Sequence, residues 1–586
     1  MKKLLLSLSF LLASAIAFAA PRSLAQMKAA AKSVLKAAPA ATRGGSAQPE
    51  VLKEGRQLTV LGYAAGGFAV IANDDAFDAV LGYSDTRFSP DNMPPAMLWW
   101  MKATDEAMQQ RLSTGKTTMT ATTPADLGYP TEMGGNDGMM LAKWDQSAPY
   151  NSVIKEQLSG DYLTGCVATA MAQIMYHHKW PVKGTGNHNY NPDYANGQSD
   201  FNGTVSAKFD RTTYDWDNML PVYTNGKYND VQAEAVGTLM YHCGVSVEMQ
   251  YGLQASGAHD NDVATALETY FSYSTKFYSR DIYTEREWMG IIYEEISNNR
   301  PVLYGGVALT PPTPSGHAFV FDGYDASGRV HVNWGWSGSG NGFFNVAVLD
   351  SSDGTLTEPT QNGFSYQQDM VVIHDADEPE IPYSSQFGIL PSISWKDGST
   401  STGSFTVSTS GGTLTFNVTN LLNCDANAFT GTLGLIAEPV DGGAAIALFN
   451  GQLEAVPYSS GWPDFGTNSA SIDGLPDGTY RVYLATKATT ETDWQPVRSN
   501  ETIVNNYLLT VSGGTATVTE GEPGWTTGIE RVTVTGGNGD GTVRVYTADG
   551  VLVYTAPAAG FRLDDVPVSG LLIVKRGAET VKVVKK

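Results

Sequence analysis

Cysteine is scarce. Three occur in 586 residues, Cys166, Cys243 and Cys424. An exported chain stapled by disulfides carries a larger, even set, so a disulfide framework is not expected, and one reactive thiol without a partner is the economical reading. Positive charge is also short, with 37 Lys and Arg against 60 Asp and Glu and a net charge of −23. Nucleic acid is recognised by a basic face and is not expected as a partner. Beyond the first twenty residues no apolar run is long enough to span a bilayer. No His, Cys and Asp cluster has metal-ligand spacing, so neither a metal nor another cofactor is implied.

What is present begins with a leader. Met1-Lys2-Lys3, an apolar run from Leu4 to Phe18 and the small residues Ala19-Ala20 make the three parts of a secretory signal peptide over 1–20. A chain of this length carries several cores. Residues 21–136 open with an Ala-, Lys- and Ser-rich stretch that predicts a short helix and a linker. Three short strands follow from Leu58, then a helix over Met97 to Leu112 and an exposed linker over Ser113 to Asn136. Both a pro-segment and an unrelated N-terminal domain fit that pattern. Residues 137–375 give helices first and strands afterwards, an α+β domain with two unlike halves. Alternation at Leu414, Phe416, Val418 and at Tyr480, Val482, Leu484 predicts a β-sandwich over 385–515. Asp549-Gly550 between two alternating runs predicts a hairpin in a small β-domain over 528–586.

One stretch organises the rest. From Val167 the apolar residues Val167, Ala170, Met171, Ile174 and Met175 keep helical rhythm with one buried face. Thr164 and Asp161 are available as caps, and Trp180-Pro181 ends the helix. Cys166 therefore sits at the first turn, where unpaired N–H groups and the positive end of the dipole favour an anion. That is the setting of a cysteine nucleophile, although most free cysteines are small buried hydrophobes. Cys243 lies on a second helical pattern that Gly244 is expected to stop, a packing position.

A thiolate needs a base. His177 and His178 share its helix but lie about 16–18 Å along it, out of reach. His188, His242, His259 and His331 have no local support. His317 opens a buried strand after Pro314-Ser-Gly. If Tyr324 pairs with Arg329 across the turn, His317 lies opposite Trp336 with Trp334 diagonal to it. Asn333 faces away in that register, and a bulge would reverse it. Asn333 and Trp334 therefore both stand as orienters of the imidazole. For an oxyanion, the N–H of Cys166 is one donor and the side-chain amide of Gln146 a second.

Four runs, Trp144-Asp-Gln-Ser-Ala-Pro-Tyr-Asn, Thr164-Gly-Cys-Val-Ala-Thr-Ala-Met-Ala-Gln, Ser315-Gly-His-Ala-Phe-Val-Phe-Asp-Gly and Val332-Asn-Trp-Gly-Trp-Ser-Gly, resemble in order and spacing the streptopain family of papain-like cysteine peptidases. The resemblance implies Cys166 as nucleophile, His317 as general base and acid, Gln146 as oxyanion donor, and Trp334 with Asn333 as the wall beside the histidine. It places Gly316 and Ser256 in the substrate cleft, and Trp336 is counted with them. Residues 58–112 look like the family's inhibitory pro-domain, which implies a zymogen inhibited by its own N-terminal part. Residues 528–586 resemble the sorting domains that carry Bacteroidetes proteins through type IX secretion, which implies that machinery as a partner and a secreted or cell-surface protein. The expected architecture is a papain-like α+β domain preceded by a small α+β pro-domain and followed by all-β domains. The expected activity is endopeptidase cleavage of proteins through a thioester. Two rivals remain, an inactive surface adhesin on this scaffold and a cysteine-dependent acyl transferase.

Overall fold

The computed structural model describes residues 20–36, 48–114, 122–308, 315–346, 368–394, 399–526, 542–547, 552–557, 570–576 and 579–585. The expected leader up to residue 19, residues 115–121 of the expected linker and the Asp549-Gly550 turn lie outside them.

The N-terminal unit runs α1 (Leu24–Val34), β1 (Glu50–Glu54), β2 (Leu58–Gly62), β3 (Phe68–Ala72), β4 (Val80–Ser84) and α2 (Pro95–Thr114). α1 starts at a capping box between Ser23 and Gln26. β2 and β3 are buried throughout, whereas β1 is mostly exposed and carries no alternation to announce it. The central region follows with α3 (Ser152–Leu158), α4 (Cys166–His178), β5 (His188–Tyr190), β6 (Val205–Ala207), α5 (Asp230–Ser246), α6 (Asp260–Phe271), β7 (Ser274–Ser279) and α7 (Glu285–Ser297). It ends in β8 (Val302–Ala308), β9 (Ser315–Tyr324), β10 (Val330–Asn333), β11 (Gly342–Phe344) and β12 (Gln368–His374). α5 does not stop at Gly244 but runs to Ser246. A Cβ at 244 would strike the hydroxyl of Tyr251, so this glycine serves a close approach rather than a cap.

Ten strands make one antiparallel sheet in the order β1-β2-β3-β4-β11-β10-β9-β8-β12-β7. The N-terminal unit and the central region therefore share a sheet, joined where Tyr83 faces Phe343 and Gly82 faces Phe344. One face is covered by α3 to α6, and the almost wholly buried α4 lies at its centre. The other is covered by α2 and α7, whose Met97, Trp99, Trp100, Trp288 and Ile292 pack with Tyr304, Phe319 and Phe321. Each such buried side chain contributes about 1.5–3 kcal/mol, enough in sum to hold α2 firmly in place.

The described part of the expected linker, residues 122–136, is largely exposed, but it and the residues that follow are tied down at several points. Tyr293 donates to the carbonyl of Thr122 at 2.8 Å, Met133 bridges to Tyr324, and the backbone N–H of Met140 donates to Asp322 at 3.0 Å. The short polar residues read as loop, and the backbone of Thr122, Met133, Met139 and Met140 finds partners in the central region.

Two sheets then pack face to face. Phe387–Ile389, Ser404–Ser410, Thr413–Asn423, Gly461–Asp464 and Asn468–Ser471 form one; Ile446–Val456, Phe429–Pro439, Gly478–Ala488, Asn506–Ser512 and Thr515–Glu520 form the spine of the other, with Gln495–Pro496 paired to Gly478–Ala488. Leu414, Phe416 and Val418 meet Leu435, Val482 and Leu484 inside, the alternation read from the sequence. This sandwich is fastened to the central region. Gln386 donates to Phe277 O at 2.6 Å, and Arg498 pairs with Glu287 at 3.0 Å while lying 4.3 Å from the ring centroid of Tyr283. Thr542–Thr547, Leu552–Pro557, Gly570–Arg576 and Glu579–Lys585 form a separate four-stranded antiparallel sheet. Among the described residues no helix is long and apolar enough to cross a membrane.

Candidate active site

Cys166 is the first residue of α4. Neither Thr164 nor Asp161 caps the helix, contrary to the sequence reading. The N-cap is Gly165 at φ +86°, and no side chain bonds the first turn. The Thr164 hydroxyl is taken by that of Thr169 at 2.9 Å, and Thr169 also donates to Gly165 O at 2.9 Å. Asp161 accepts instead from Asn151 at 3.2 Å. The helix does stop at the Trp180-Pro181 pair, with left-handed Lys179 as its C-cap. The empty cap leaves the N–H groups of the first turn facing the sulfur. Burial pushes the Cys166 thiol up to about 11. The backbone N–H of Ala318 opposes that push, the Asp260 carboxylate adds to it, and the N–H groups of Val167 and Cys166 again oppose it.

Ala318 is the residue after His317. Its N–H at the sulfur fixes where the Cys166 thiol sits, directly over β9. Side chains alternate along this strand. Ala318 and Val320 belong to the α4 core, and Phe319 and Phe321 to the α2 core. His317 is in step with Phe319. Its ladder partner is Gly306, and a Cβ there would lie 2.8 Å from the indole of Trp99. The structure thus brings the backbone of the histidine to Cys166 while strand alternation directs the imidazole to the α2 face. No hydrogen bond among the described residues engages the ring, and burial lowers His317 to about 4. At neutral pH both groups are uncharged in this state.

The expected hairpin register needs correction. Tyr324 pairs with Val330, not Arg329. A bulge between His331 and Val332 then shifts the ladder by one, and Asn333 faces Val320, where β10 ends. Left-handed Gly335 and Ser337 curl the chain away, so Trp336 does not come to lie opposite His317. Trp336 is half-buried on the loop whose Ser337 N–H donates to Trp144 O at 2.9 Å. Asn333 and Trp334 part company. Asn333 is buried on the α4 face, donating to Ala142 O at 2.7 Å and to Gln173 Oε1 at 3.1 Å. Trp334 lies on the histidine's face, its N–H on Gly340 O at 3.0 Å and its ring against Phe319 at 4.9 Å.

Gln146 is tied to the nucleophile's loop, its carbonyl accepting from Thr164 N–H at 3.1 Å, and its side-chain amide makes no hydrogen bond among the described residues. Ser256 is buried. Its hydroxyl donates to Leu163 O at 2.8 Å and accepts from Gly252 N–H at 3.0 Å, while its carbonyl lies 3.2 Å from the Cβ position of Gly165. It braces the wall beside Cys166 with its side chain turned inward. Gly316 is exposed at the mouth of β9.

The sequence reading gave no part to Gln173, which ties three segments together. Its Oε1 accepts from Trp144 N–H at 3.2 Å as well as from Asn333. It also missed Trp99, and the carboxyls of Asp260 and Asp369, which crowd the same point over Gly305. A helical glutamine and two isolated aspartates carry no local signal. Cys243 is buried against Met175 and Cys424 lies in the α2-side core; all three cysteines are free thiols. His177 and His178 bond Asn299 O at 3.1 Å and Asp375 at 3.0 Å, far from the sulfur's end of α4. Among the described residues no group of three or more His, Cys, Asp or Glu could hold a metal.

A family model for the peptidase C10 family matches residues 144–344, and one for the Spi protease inhibitor matches residues 19–108. Streptopain of Streptococcus pyogenes is 32% identical over 330 residues, covering 54% of this chain and 80% of that protein. The thiol protease/hemagglutinin PrtT of Porphyromonas gingivalis is 33% identical over 339 residues, covering 56% of this chain but 37% of its own length. A solved fragment of prointerpain A from Prevotella intermedia is 37% identical, covering 55% of this chain and 97% of that one at a TM-score of 0.48. This chain belongs to the streptopain (C10) family of cysteine peptidases.

Proposed function

We propose that the protein is an exported cysteine endopeptidase made as an inhibited precursor, with Cys166 and His317 as its catalytic dyad. The observation that carries this reading is the sulfur of Cys166, at an uncapped helix start, lying against the N–H of the residue that follows His317. The thiolate attacks a peptide carbonyl. The oxyanion takes hydrogen bonds from the N–H of Cys166 and the amide of Gln146. The imidazolium of His317 gives its proton to the leaving amine, and a thioester remains. Water attacks it with His317 as base, releasing the acid and restoring the thiol. Ser256, Gly316 and Trp336 edge the cleft in which the substrate lies.

In the precursor, α2 holds the far side of β9. Trp99 against Gly306, opposite His317, supports an inhibitory role for the N-terminal unit, because the base is kept from the nucleophile while that helix is docked. Removing the unit frees the 315–317 end of β9 to turn His317 towards Cys166. The leader over residues 1–20 and the separate sheet near the C-terminus support export, with type IX secretion as the route and the secreted or cell-surface state as its result.

The test is Cys166→Ala, compared with the unaltered protein after the N-terminal unit has been cut away from both. Casein cleavage is expected to fall at least about a thousand-fold with thermal melting unchanged. Full activity in that variant would overturn the assignment.

A further inference from the structure

On the α4 face of the sheet, three adjacent strands place Ala318, Gly305 and Asp369 side by side. Ala318 touches the nucleophile, so this row leads outward from Cys166 in steps of about 4.8 Å. The middle residue has no side chain. A Cβ at 305 would collide with the carboxyl of Asp260 and lie 2.6 Å from Oδ1 of Asp369. Asp260 comes from the first residue of α6, directly after the loop in which Ser256 braces Gly165. Two carboxyl groups therefore meet over a bare glycine, one strand from the strand that touches the reacting sulfur.

The two carboxyls hydrogen-bond each other and keep a buried oxygen each with no further hydrogen-bond partner among the described residues; Asp369 is 8% exposed. Burial pushes both groups up, Asp260 to about 6. The titratable groups around them are His259 just before α6, Asp262 on α6, Asp281 after β7 and Cys166 on α4. That set is mostly acidic, and like carboxyls so placed take up either a shared proton or a cation from outside. A third wall comes from the sandwich. Tyr458 packs edge-on against Phe277 of β7 at 5.4 Å, with its hydroxyl in the field of Asp369 and Asp260. An aromatic ring beside two carboxylates is suited to a guanidinium or ammonium group.

We propose that Asp260, Asp369 and Tyr458 form a substrate subsite for a lysine or arginine side chain carried one or two residues from the scissile bond. The proposal rests on the peptidase reading above, in which Cys166 marks the scissile carbonyl. An extended peptide advances about 3.3 Å per residue, which sets that spacing. Gly305 keeps the floor open, and the sandwich becomes part of the specificity apparatus.

The test uses the processed protein with its sandwich retained and quenched fluorescent peptides that differ only in arginine against neutral citrulline. The exchange is made in turn at the two positions on each side of the cleaved bond. At one position, kcat/KM for arginine is expected to exceed that for citrulline by about tenfold or more. Asp369→Asn and Asp260→Asn are expected to bring the ratio near one while cleavage of the citrulline peptide persists. Equal rates for arginine and citrulline at every position in the unaltered protein, a comparison that needs no variant to fold, would overturn the proposal. So would a preference that survives both substitutions. Failure to cleave citrulline peptides as well would instead strike the peptidase reading itself.

Discussion

The two faces of β9 are furnished by different parts of the chain and by different chemistry. Towards α4 the strand meets Gln173, Asn333, Asp260 and the sulfur of Cys166, most of them fixed by hydrogen bonds within the central region. Towards α2 it meets Met97, Trp99, Trp100, Trp334 and Phe344, an apolar layer to which the N-terminal unit and the central region both contribute. The polar face needs nothing from the N-terminal unit to hold its shape. The apolar face is completed by it. On the proposed reading, with Cys166 as nucleophile and His317 as base on opposite faces of one strand, the chain needs no missing residue to stay inactive. What separates them is the alternation of the strand, and the layer supplied by α2 packs on the face that carries His317.

Weakening the apolar face should blur the contrast most. Trp99→Ala removes a buried indole worth about 3–5 kcal/mol of packing. In the full-length chain it is expected to raise alkylation of Cys166 and residual casein cleavage at least about tenfold, read by labelling kinetics before any processing. Weakening the polar face should cost stability rather than release activity. Gln173→Leu strands the N–H of Trp144 and the amide of Asn333, and calorimetry is expected to show a loss of about 2–4 kcal/mol. Arg498→Ala, which touches the apolar face only at its rim through Tyr283 and Glu287, should have the smallest effect. It breaks a half-exposed ion pair with Glu287 and a cation–ring contact with Tyr283. The expected loss is about 1–2 kcal/mol, with little change in the rate for neutral peptides.

Much of the polar face was legible in the sequence. Helical rhythm located α4, and the buried run that His317 opens located β9 beneath it, because both signals are local. The cap was misread because Thr164 and Asp161 have the right chemistry at the right spacing, yet their polar atoms are engaged elsewhere. Gly244 was misread as a stop because a glycine required by a tight contact looks the same in sequence as one required by a left-handed turn. The bulge in β10 was foreseen as a possibility, but its position depends on partners outside the hairpin. The apolar face was not legible. Nothing in 80–84 or 342–344 announces that these segments pair, and that pairing is what lays α2 over β9. The carboxyl pair was hidden for the same reason, since α6 and β12 meet only in the folded sheet.

The most direct test of the separation of Cys166 from His317 is the pH dependence of Cys166 alkylation, measured in the full chain and in the processed protein beginning near Thr122. A thiol raised by burial reacts only as pH climbs towards its ionisation. The account predicts that the full chain labels slowly at neutral pH, with a rate rising steadily towards about 11. The processed protein is predicted to label fast below pH 7 through a thiolate–imidazolium pair, and to lose that fast phase in His317→Ala. A full chain that labels as fast at pH 6 as the processed protein, with the same midpoint, would contradict it.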